Sequence, residues 1–308
     1  MANTKTQSIS FAGFILTFIG AILFSTKAII VKKAFAGTSA DALSLLTLRM
    51  IFSLPFYIAV AIFSSSKKEN VALSRNQWLY VIGLGLIGYY ISSYLDFVGL
   101  QYISAGLERL ILFLYPTFAV LINSFFFKQK ITGIQKIALT LTYLGIGIAY
   151  YGELAIDTGN PNFFFGSLMV FLCAVTFSIY LVGSGRIIPI IGATKFTAYA
   201  MLSATAGIFI HFMFAGNIQT LNSGTGLWWY GLLLAIVATV IPSFLTSNGM
   251  KRIGSNNVAI IFGIGPVSTI LQAHFILGER MFLEQVIGTL LVIAGVLLIG
   301  WKTRQAVE

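Results

Sequence analysis

Long apolar stretches alternate with short polar connections along the whole chain. Each stretch is about 20 residues long, the length that an α-helix needs to cross the roughly 30 Å hydrocarbon core of a bilayer. The pattern predicts an all-α membrane protein with ten transmembrane helices in one bundle. The predicted helices begin near Phe11, Ala42, Trp78, Ala105, Ile134, Phe163, Phe196, Leu227, Asn256 and Leu283.

The composition supports a membrane protein and excludes several kinds of chemistry. Of 308 residues, 57% are hydrophobic and 9% are charged, whereas soluble domains carry about 25% charged residues. The single cysteine, Cys173, lies within an apolar run, so the chain has neither an internal disulfide nor a Cys/His metal cluster. We therefore predict no cofactor and no metal site.

The net charge of +10 follows the alternation of the predicted helices. If the N-terminus is cytoplasmic, thirteen basic residues lie on the cytoplasmic side. The opposite side has the basic residues Lys32, Lys33 and Arg280 and the acidic residues Asp41, Glu153, Asp157, Glu279 and Glu284. This distribution predicts that both termini are cytoplasmic in a multi-pass protein of the cell membrane. The basic balance is then a topology signal, and we predict no nucleic-acid partner because no loop is long enough to form a basic groove. The cytoplasmic basic residues are Lys5, Lys67, Lys68, Arg75, Lys128, Lys130, Lys136, Arg186, Lys195, Lys251, Arg252, Lys302 and Arg304.

The two halves of the chain resemble each other. GLQYISAGLERLILFLYPTFAVLINSFFFKQKIT aligns with GMKRIGSNNVAIIFGIGPVSTILQAHFILGERMF, and at one constant spacing Gly99 matches Gly249 and Pro116 matches Pro266. We predict two five-helix repeats, residues 1–152 and 153–308. Because five is odd, the repeats would cross the membrane in opposite directions, an arrangement typical of transporters that bind their substrate near the membrane midplane.

The paired prolines lie near the centres of the predicted fourth and ninth helices. Each removes a backbone N–H, which leaves the carbonyls of Leu112 and Phe262 without their helical partners. Such carbonyls are tolerated at the midplane only where protein or a wet cavity satisfies them. Pro116 and Pro266 are therefore either packing kinks or part of a structural or coupling element of the transport site.

Several segments resemble the drug/metabolite transporter superfamily, EamA branch. They are FSTKAIIVKKAF, LTLRMIF, YLDFVGLQYISAGLERLILFLYPTF and GIGPVSTILQAHFILGERM. The resemblance covers nearly the whole chain and implies an exporter of amino acids, other metabolites or toxic compounds. An acidic residue that follows helices 4 and 9 in this family is present at Glu279, whereas the first half has Gln129 there.

Five charged residues fall within predicted helices, one to three turns from the outer end: Lys27, Arg49, Asp96, Glu108 and Arg109. A charge that faces lipid costs at least about 2.5 kcal/mol near the helix centre, so these groups should face inward, pair or snorkel. Two roles remain open. Glu108 or Asp96 neutralises Arg49, Arg109 or Lys27 and holds helices together, or the cations contact substrate directly.

Spacing on helix 4 favours substrate contact for Arg109. Arg109, Pro116 and Asn123 recur every seven residues and so share one face, with Phe113 close by. This face is a candidate cavity wall. Glu108 points about 100° away and would brace a neighbouring helix.

Uncharged polar and aromatic residues extend the candidate lining. Tyr90, Tyr94 and Tyr115 either stack on an organic cargo or serve as packing and interfacial anchors. Ser243 and Gln272 lie on polar stripes of helices 8 and 9, and the Gln272 amide needs several partners. His274 is a candidate carrier of a coupling proton, or a hydrogen-bonded residue near the outer interface. The candidate lining residues of this kind are Tyr90, Tyr94, Tyr115, Ser243, Gln272 and His274.

The function predicted is transport, not catalysis. The substrate class is small polar or amphipathic metabolites, with amino acids or related compounds preferred because a zwitterion needs both anionic and cationic partners once dehydrated. Outward direction follows from the resemblance alone. The alternative is an exchanger of phosphorylated metabolites or nucleotide sugars, which requires Lys27, Arg49 and Arg109 to be unpaired and convergent. A membrane enzyme is disfavoured because the ionisable cluster has no ligand spacing or nucleophile motif.

Overall fold

The computed structural model describes residues 11–65, 72–128, 131, 133–156, 159–221 and 224–305. Within these residues the chain is helical and forms no β-strand. The helices are α1 (Phe11–Gly37), α2 (Ala42–Ser65), α3 (Arg75–Gly85), α4 (Ser92–Leu100), α5 (Ala105–Leu112), α6 (Tyr115–Phe127), α7 (Gly133–Ile156), α8 (Phe163–Ile191), α9 (Ala193–Ala215), α10 (Ile218–Leu221), α11 (Thr225–Ala235), α12 (Ile241–Phe262), α13 (Gly265–Gln272) and α14 (Leu283–Gln305).

The fold is that of an all-helical multi-pass membrane protein. Among the described residues, eight helical segments are long and apolar enough to cross a membrane, and α14 adds a shorter apolar run, Leu283–Gly295. Large hydrophobic side chains cover the outside of the bundle: Phe125 is 83% exposed and Phe214 is 87% exposed. Side chains of this kind face lipid tails at no cost but would be unfavourable in water.

The chain reverses direction in the segment that spans the predicted eighth and ninth helices. From Thr246 to Ile253, the contacts of α12 with α1 move toward the start of α1 and end at Gly13. Phe262, at the end of α12, instead packs against Phe24, with ring centroids 5.8 Å apart. The second part of this segment therefore runs back along α1 toward the end of the bundle where α1 joins α2, so α12 is sharply bent between Ile253 and Phe262 and is not one straight helix.

Both prolines that the sequence singled out lie at helix breaks. α5 ends at Leu112 and α12 ends at Phe262, and Pro116 and Pro266 occupy the first turn of the helices that follow. Proline is well tolerated in a first turn because the N–H that it lacks has no helical partner there. The breaks thus occur at the carbonyls that the sequence predicted to be freed.

Other irregular features also recur at matching places in the two halves. A π-helical segment, Leu86–Ile91, links α3 to α4, and a second, Ile236–Val240, links α11 to α12. Lys128 follows α6 with φ 54°, and Gly278 ends the π-helical extension of α13 with φ 72°. One π-helical segment and one left-handed turn thereby each occur twice along the chain.

The tightest helix pair in the bundle is α7 against α14, and glycine makes it close. A Cβ atom on Gly145 would lie 2.5 Å from the carbonyl oxygen of Gly288, and a Cβ on Gly295 would lie 2.4 Å from Thr142 Oγ1. Small residues allow backbones to approach in this way, which is a common means of helix association in membranes.

We expect Gly145→Val to lower the free energy of unfolding by roughly 1–3 kcal/mol, because the added side chain must push α14 away. The matched control is Gly147→Val on the same helix, since a Cβ at Gly147 meets nothing within 4 Å. Thermal unfolding of the two purified variants in detergent provides the measurement. Equal stability of the two variants would show that the close packing is not required.

Candidate functional site

Two buried carboxylates lie around a single ammonium group. Lys27 Nζ on α1 lies 2.7 Å from Asp96 Oδ2 on α4 and 3.9 Å from Glu108 Oε1 on α5. Both carboxylates are completely buried, and the Lys27 side chain is 19% exposed. Lys27 is therefore the shared counter-ion of two carboxylates that reach it from two other helices.

The start of α5 positions Glu108 and Arg109, and side chains from both halves of the chain fix it. Ser104 caps the helix by accepting a hydrogen bond from Leu107 N at 3.0 Å. Glu279, in the loop before α14, accepts hydrogen bonds from Ala105 N at 2.9 Å and Gly106 N at 3.3 Å. A carboxylate at this position also interacts favourably with the helix dipole.

Two further contacts hold the loop that precedes α5. Lys32 Nζ donates a hydrogen bond to the carbonyl of Ile103 at 3.0 Å, and Asn160 Nδ2 donates one to the carbonyl of Tyr102 at 2.6 Å. Together with Glu279, these side chains attach the start of α5 to α1, to the loop before α8 and to the loop before α14. This end of the bundle is closed around α5.

We expect Glu279→Ala to lower the free energy of unfolding by roughly 0.5–2 kcal/mol, because two N–H groups at the start of α5 lose their acceptor. Glu284→Ala is the matched control, since Glu284 is exposed in the first turn of α14. Chemical unfolding of both variants would measure the difference. A Glu279→Ala protein as stable as the control would mean that water replaces the carboxylate without loss.

Arg49 lies in the same part of the bundle but has no acidic partner. Its Nη2 donates a hydrogen bond to Ser93 Oγ at 3.1 Å, and its Cζ lies 5.3 Å from the centre of the Phe97 ring. The residue is 4% exposed, its Nε has no hydrogen-bond partner, and it forms no ion pair with any described residue. A hydroxyl and an aromatic ring are thus its direct partners, and Asp96 acts on its charge only at longer range.

Arg109 is a second guanidinium without an acidic partner. Its Cζ lies 5.7 Å from the centre of the Phe113 ring, its Nε lacks a hydrogen-bond partner, and it forms no ion pair within the described ranges. A Cβ atom on Gly265 would lie 2.5 Å from Arg109 Nη2. Glycine at 265 therefore makes room for the guanidinium beside the break between α12 and α13.

The two carboxylates and the two guanidiniums of this region differ in how closely they are paired. Asp96 and Glu108 both lie within ion-pairing distance of Lys27, whereas the buried guanidiniums of Arg49 and Arg109 form no ion pair within the described residues and are attracted to these carboxylates only at longer range. Burying a charge without a partner is costly, so an anionic group that reaches either guanidinium would be strongly favoured. The arrangement offers donors for an anion and carboxylates for a cation.

A cavity of about 180 Å³ lies between α2, α9 and α12. It reaches the surface at the exposed residues Thr194 and Asn248, and Tyr57 OH lies 3.4 Å from Ser243 Oγ inside it. Its volume equals that of on the order of six liquid water molecules. Arg49 lies about two helical turns before Tyr57 on α2, deeper in the bundle. The lining residues are Tyr57, Val60, Thr194, Thr197, Ala198, Ser243, Phe244 and Asn248.

The three tyrosines predicted to line the site pack against other aromatic rings of the protein. Tyr90 and Tyr94 approach the ring of His211 edge-on, at centroid distances of 5.8 Å and 4.9 Å. Tyr115 lies between Phe113, at 5.7 Å, and Phe177, at 5.2 Å. Tyr90 and Tyr94 thus belong to one aromatic group and Tyr115 to another. The second group includes Phe113, whose ring also contacts the Arg109 guanidinium.

Gln272 and His274 lie outside the charge cluster. Gln272 Nε2 donates a hydrogen bond to Ser268 Oγ at 2.9 Å, one turn earlier on α13. His274 Nδ1 lies 2.9 Å from the carbonyl oxygen of Glu279, in the loop that caps α5. His274 therefore stabilises the loop that carries Glu279.

The spacing argument for helix 4 assumed a continuous helix. The structure ends α5 at Leu112 and begins α6 at Tyr115, so Arg109 is on one helix while Pro116 and Asn123 are on the next. The seven-residue period does not carry across that break, because the backbone departs from α-helical geometry at Phe113, where ψ is 3°. Asn123 is partly exposed on α6, and its membership of the Arg109 face no longer follows from the spacing.

Most of the cavity lining was not predicted from the sequence. Ser243 was, because it belongs to a polar stripe, and Asn248 extends that stripe by one more turn. Tyr57 stands in a uniformly apolar stretch, and Thr194 and Thr197 open a helix, a place where threonine is common for structural reasons. No sequence signal distinguishes these three residues.

Comparison with known proteins assigns this arrangement to a family. The model of the EamA-like transporter family matches residues 11–151 and 164–301. The chain belongs to the EamA-like transporter family. The two matched ranges together include all five clustered charges and every residue that lines the cavity.

Relatives of this EamA-like protein are named as transporters. It is 31% identical over 283 residues to the uncharacterized transporter YcbK of Bacillus subtilis, covering 90% of this chain and 89% of the relative. It is 26% identical over 242 residues to the uncharacterized transporter YyaM of the same organism, covering 78% of each chain. A solved crystal structure shares the fold with a TM-score of 0.67 at 20% identity, covering 97% of this chain and 98% of the other.

Proposed function

We propose that this protein transports small polar or amphipathic metabolites by alternating access, with amino acids or related compounds as the substrates and export as the direction. The observation that carries this proposal is the charge cluster, where Arg49 and Arg109 have no acidic partner while Asp96 and Glu108 share Lys27. A zwitterion needs a partner for its carboxylate and another for its ammonium once it leaves water. The cluster supplies both kinds of partner, and membership of the EamA-like family supports transport rather than catalysis.

We further propose ten transmembrane helices in two inverted five-helix repeats, residues 1–152 and 153–308. The support is the recurrence of the proline breaks and π-helical segments in both halves, together with the reversal of the chain along α1. Both termini are placed in the cytoplasm of a protein of the cell membrane by the distribution of Lys and Arg. Inverted repeats of this kind can exchange which side of a central site is open.

In that orientation the cavity faces the cytoplasm. It lies at the end of the bundle where Gly192 joins α8 to α9, and the opposite end is closed by the contacts of Glu279 and Lys32 with the start of α5. The conformation is then an inward-facing one in which cargo enters between Thr194 and Asn248 and moves toward Arg49. Such a state loads an exporter from inside the cell.

The second candidate is an exchanger of phosphorylated metabolites or nucleotide sugars. The unpaired guanidiniums of Arg49 and Arg109 favour an anionic cargo of this class. The candidate also requires a free Lys27, and the 2.7 Å pair with Asp96 argues against it. A zwitterion uses the carboxylates as well as the cations, so the first proposal accounts for more of the cluster.

The experiment is a counterflow screen in proteoliposomes that contain the purified full-length protein. Vesicles are loaded with one unlabelled compound, and entry of the radiolabelled form is measured for each amino acid and for a panel of phosphorylated metabolites. Exchange of amino acids supports the first proposal, and exchange of phosphorylated compounds alone supports the second. Turnover of a compound without its movement across the membrane would overturn both.

A further inference from the structure

The carboxylates of Asp96 and Glu108 have too few partners for two buried negative charges. None of their four oxygens accepts a hydrogen bond from a residue that the structure describes. Lys27 supplies the one ion-pairing group, at 2.7 Å from Asp96 and 3.9 Å from Glu108. The distances show that Asp96 holds the ammonium group and that Glu108 lies at the edge of its reach.

Two carboxylates in one buried site do not both ionise readily, because each negative charge disfavours the other. One ammonium group neutralises one carboxylate, which leaves a net negative charge unless a proton is also bound. Glu108 is the member of the pair whose charge is less compensated. A proton on Glu108 therefore makes the group of Lys27, Asp96 and Glu108 electrically neutral.

The other groups near Glu108 do not remove this need. Arg109 follows it on α5, but its guanidinium is packed against Gly265 and the Phe113 ring. Cys173 on α8 is a buried, uncharged thiol whose Sγ lies 3.2 Å from Ser92 Oγ. Gln285 of α14 approaches Gly106, at the start of α5, and carries no charge.

We propose that Glu108 is a proton-binding site and that the bound proton is exchanged for the ammonium group of the cargo. This inference rests on the proposed function, since it requires a cargo with an amine. When the ammonium group reaches Glu108, the carboxylic acid releases its proton to water and the resulting carboxylate pairs with the cargo. The charge of the site is the same before and after, and the two ligands exclude each other. Transport is then an exchange of cargo for a proton.

The first test detects the proton itself and needs no substrate. Infrared spectra of the purified full-length protein, with and without ¹³C-labelled glutamate carboxyl groups, should show a protonated glutamate band at neutral pH. The band should be lost in Glu108→Gln, and also in Glu108→Asp, which keeps a carboxyl group but not a glutamate. A wild-type protein without a protonated glutamate band, or a variant that retains it, would overturn the proposal.

Asp96→Asn tests whether the pair shares the proton. Without Asp96, Lys27 becomes the counter-ion of Glu108 alone, so Glu108 should ionise and the glutamate band should disappear. Glu284→Gln is the control, because Glu284 is exposed in the first turn of α14 and its replacement should leave the band unchanged. Persistence of the band in Asp96→Asn would contradict the shared site.

The second test measures coupling in proteoliposomes with a mixture of radiolabelled amino acids as the probe. An imposed pH gradient should stimulate amino-acid movement several-fold in the wild type, whereas Glu108→Gln should continue exchange without that stimulation. Wild-type movement that is insensitive to the gradient overturns the proton site and leaves the proposed function intact. Failure of any amino acid to move overturns the proposed function, while the infrared result still decides whether Glu108 holds a proton.

Discussion

Lys27→Met should lower the free energy of unfolding by roughly 3–5 kcal/mol, the cost of removing one partner from a buried ion pair. The ammonium group lies between Asp96 and Glu108, so its loss leaves the Asp96 carboxylate in the interior beside Glu108 with no cation at ion-pairing distance among the described residues. Lys33→Met is the matched control, because Lys33 is exposed on the same helix. Thermal and chemical unfolding of both variants in detergent would measure the difference.

The double substitution Lys27→Met/Asp96→Leu separates charge from packing. It removes the cation and the carboxylate that it holds at 2.7 Å, and it puts two apolar side chains in their place. Replacing a buried pair as a whole is often neutral, in contrast to removing one member. We therefore expect the double variant to recover most of the lost stability. A double variant as unstable as Lys27→Met would place the role of Lys27 in its packing and not in its charge.

The helical character of the apolar runs, the helix breaks before the two prolines and the presence of charges within helices were predictable from the sequence because each depends on local pattern. The length of an apolar run shows directly whether a helix can cross a membrane. Pro116 and Pro266 interrupt a helix whatever it packs against, because proline lacks the backbone N–H. Pairing among the charges was not predictable. Lys27, Arg49 and Arg109 each lay at a depth where Asp96 or Glu108 was within reach, and the sequence left all of these pairs open.

The pairing is decided by how the helices are rotated and by small residues far away in the chain. Gly265 on α13 leaves room for the Arg109 guanidinium, which packs there and forms no ion pair with a described carboxylate. Ser93 and Phe97 engage Arg49 on α4. Lys27 is then the cation that faces Asp96. None of these contacts is encoded by spacing within one helix, so only the packed bundle reveals them.

The contacts of Glu279 were likewise not predictable from the sequence. Its resemblance to an acidic position of the family marked it as a residue of interest, but no pattern connected it to the start of α5. The two hydrogen bonds to Ala105 and Gly106 join the second half of the chain to the helix that carries Glu108 and Arg109. The closed end of the bundle is thus linked to the charge cluster through one short helix.

Arg109→Gln should weaken substrate affinity by roughly tenfold to hundredfold, because a hydrogen bond to a charged group contributes about 1.5–3 kcal/mol. Stability should not fall, since the guanidinium has no ion pair within the described chain and its removal leaves no opposite charge stranded. Arg280→Gln, at an exposed loop position, is the control. Concentration dependence of counterflow and thermal unfolding would be measured on the same preparations.

The combination of the two measurements is what tests the role of Arg109. Lys27→Met is expected to change stability, whereas Arg109→Gln is expected to change affinity alone, because the first residue is balanced by the protein and the second is not. Arg109→Lys should restore little of the affinity, since an ammonium group cannot reproduce the planar, two-donor geometry of a guanidinium against a carboxylate. Full transport by Arg109→Gln would move the anion-binding role to Arg49, which lies closer to the cavity that opens at Thr194 and Asn248.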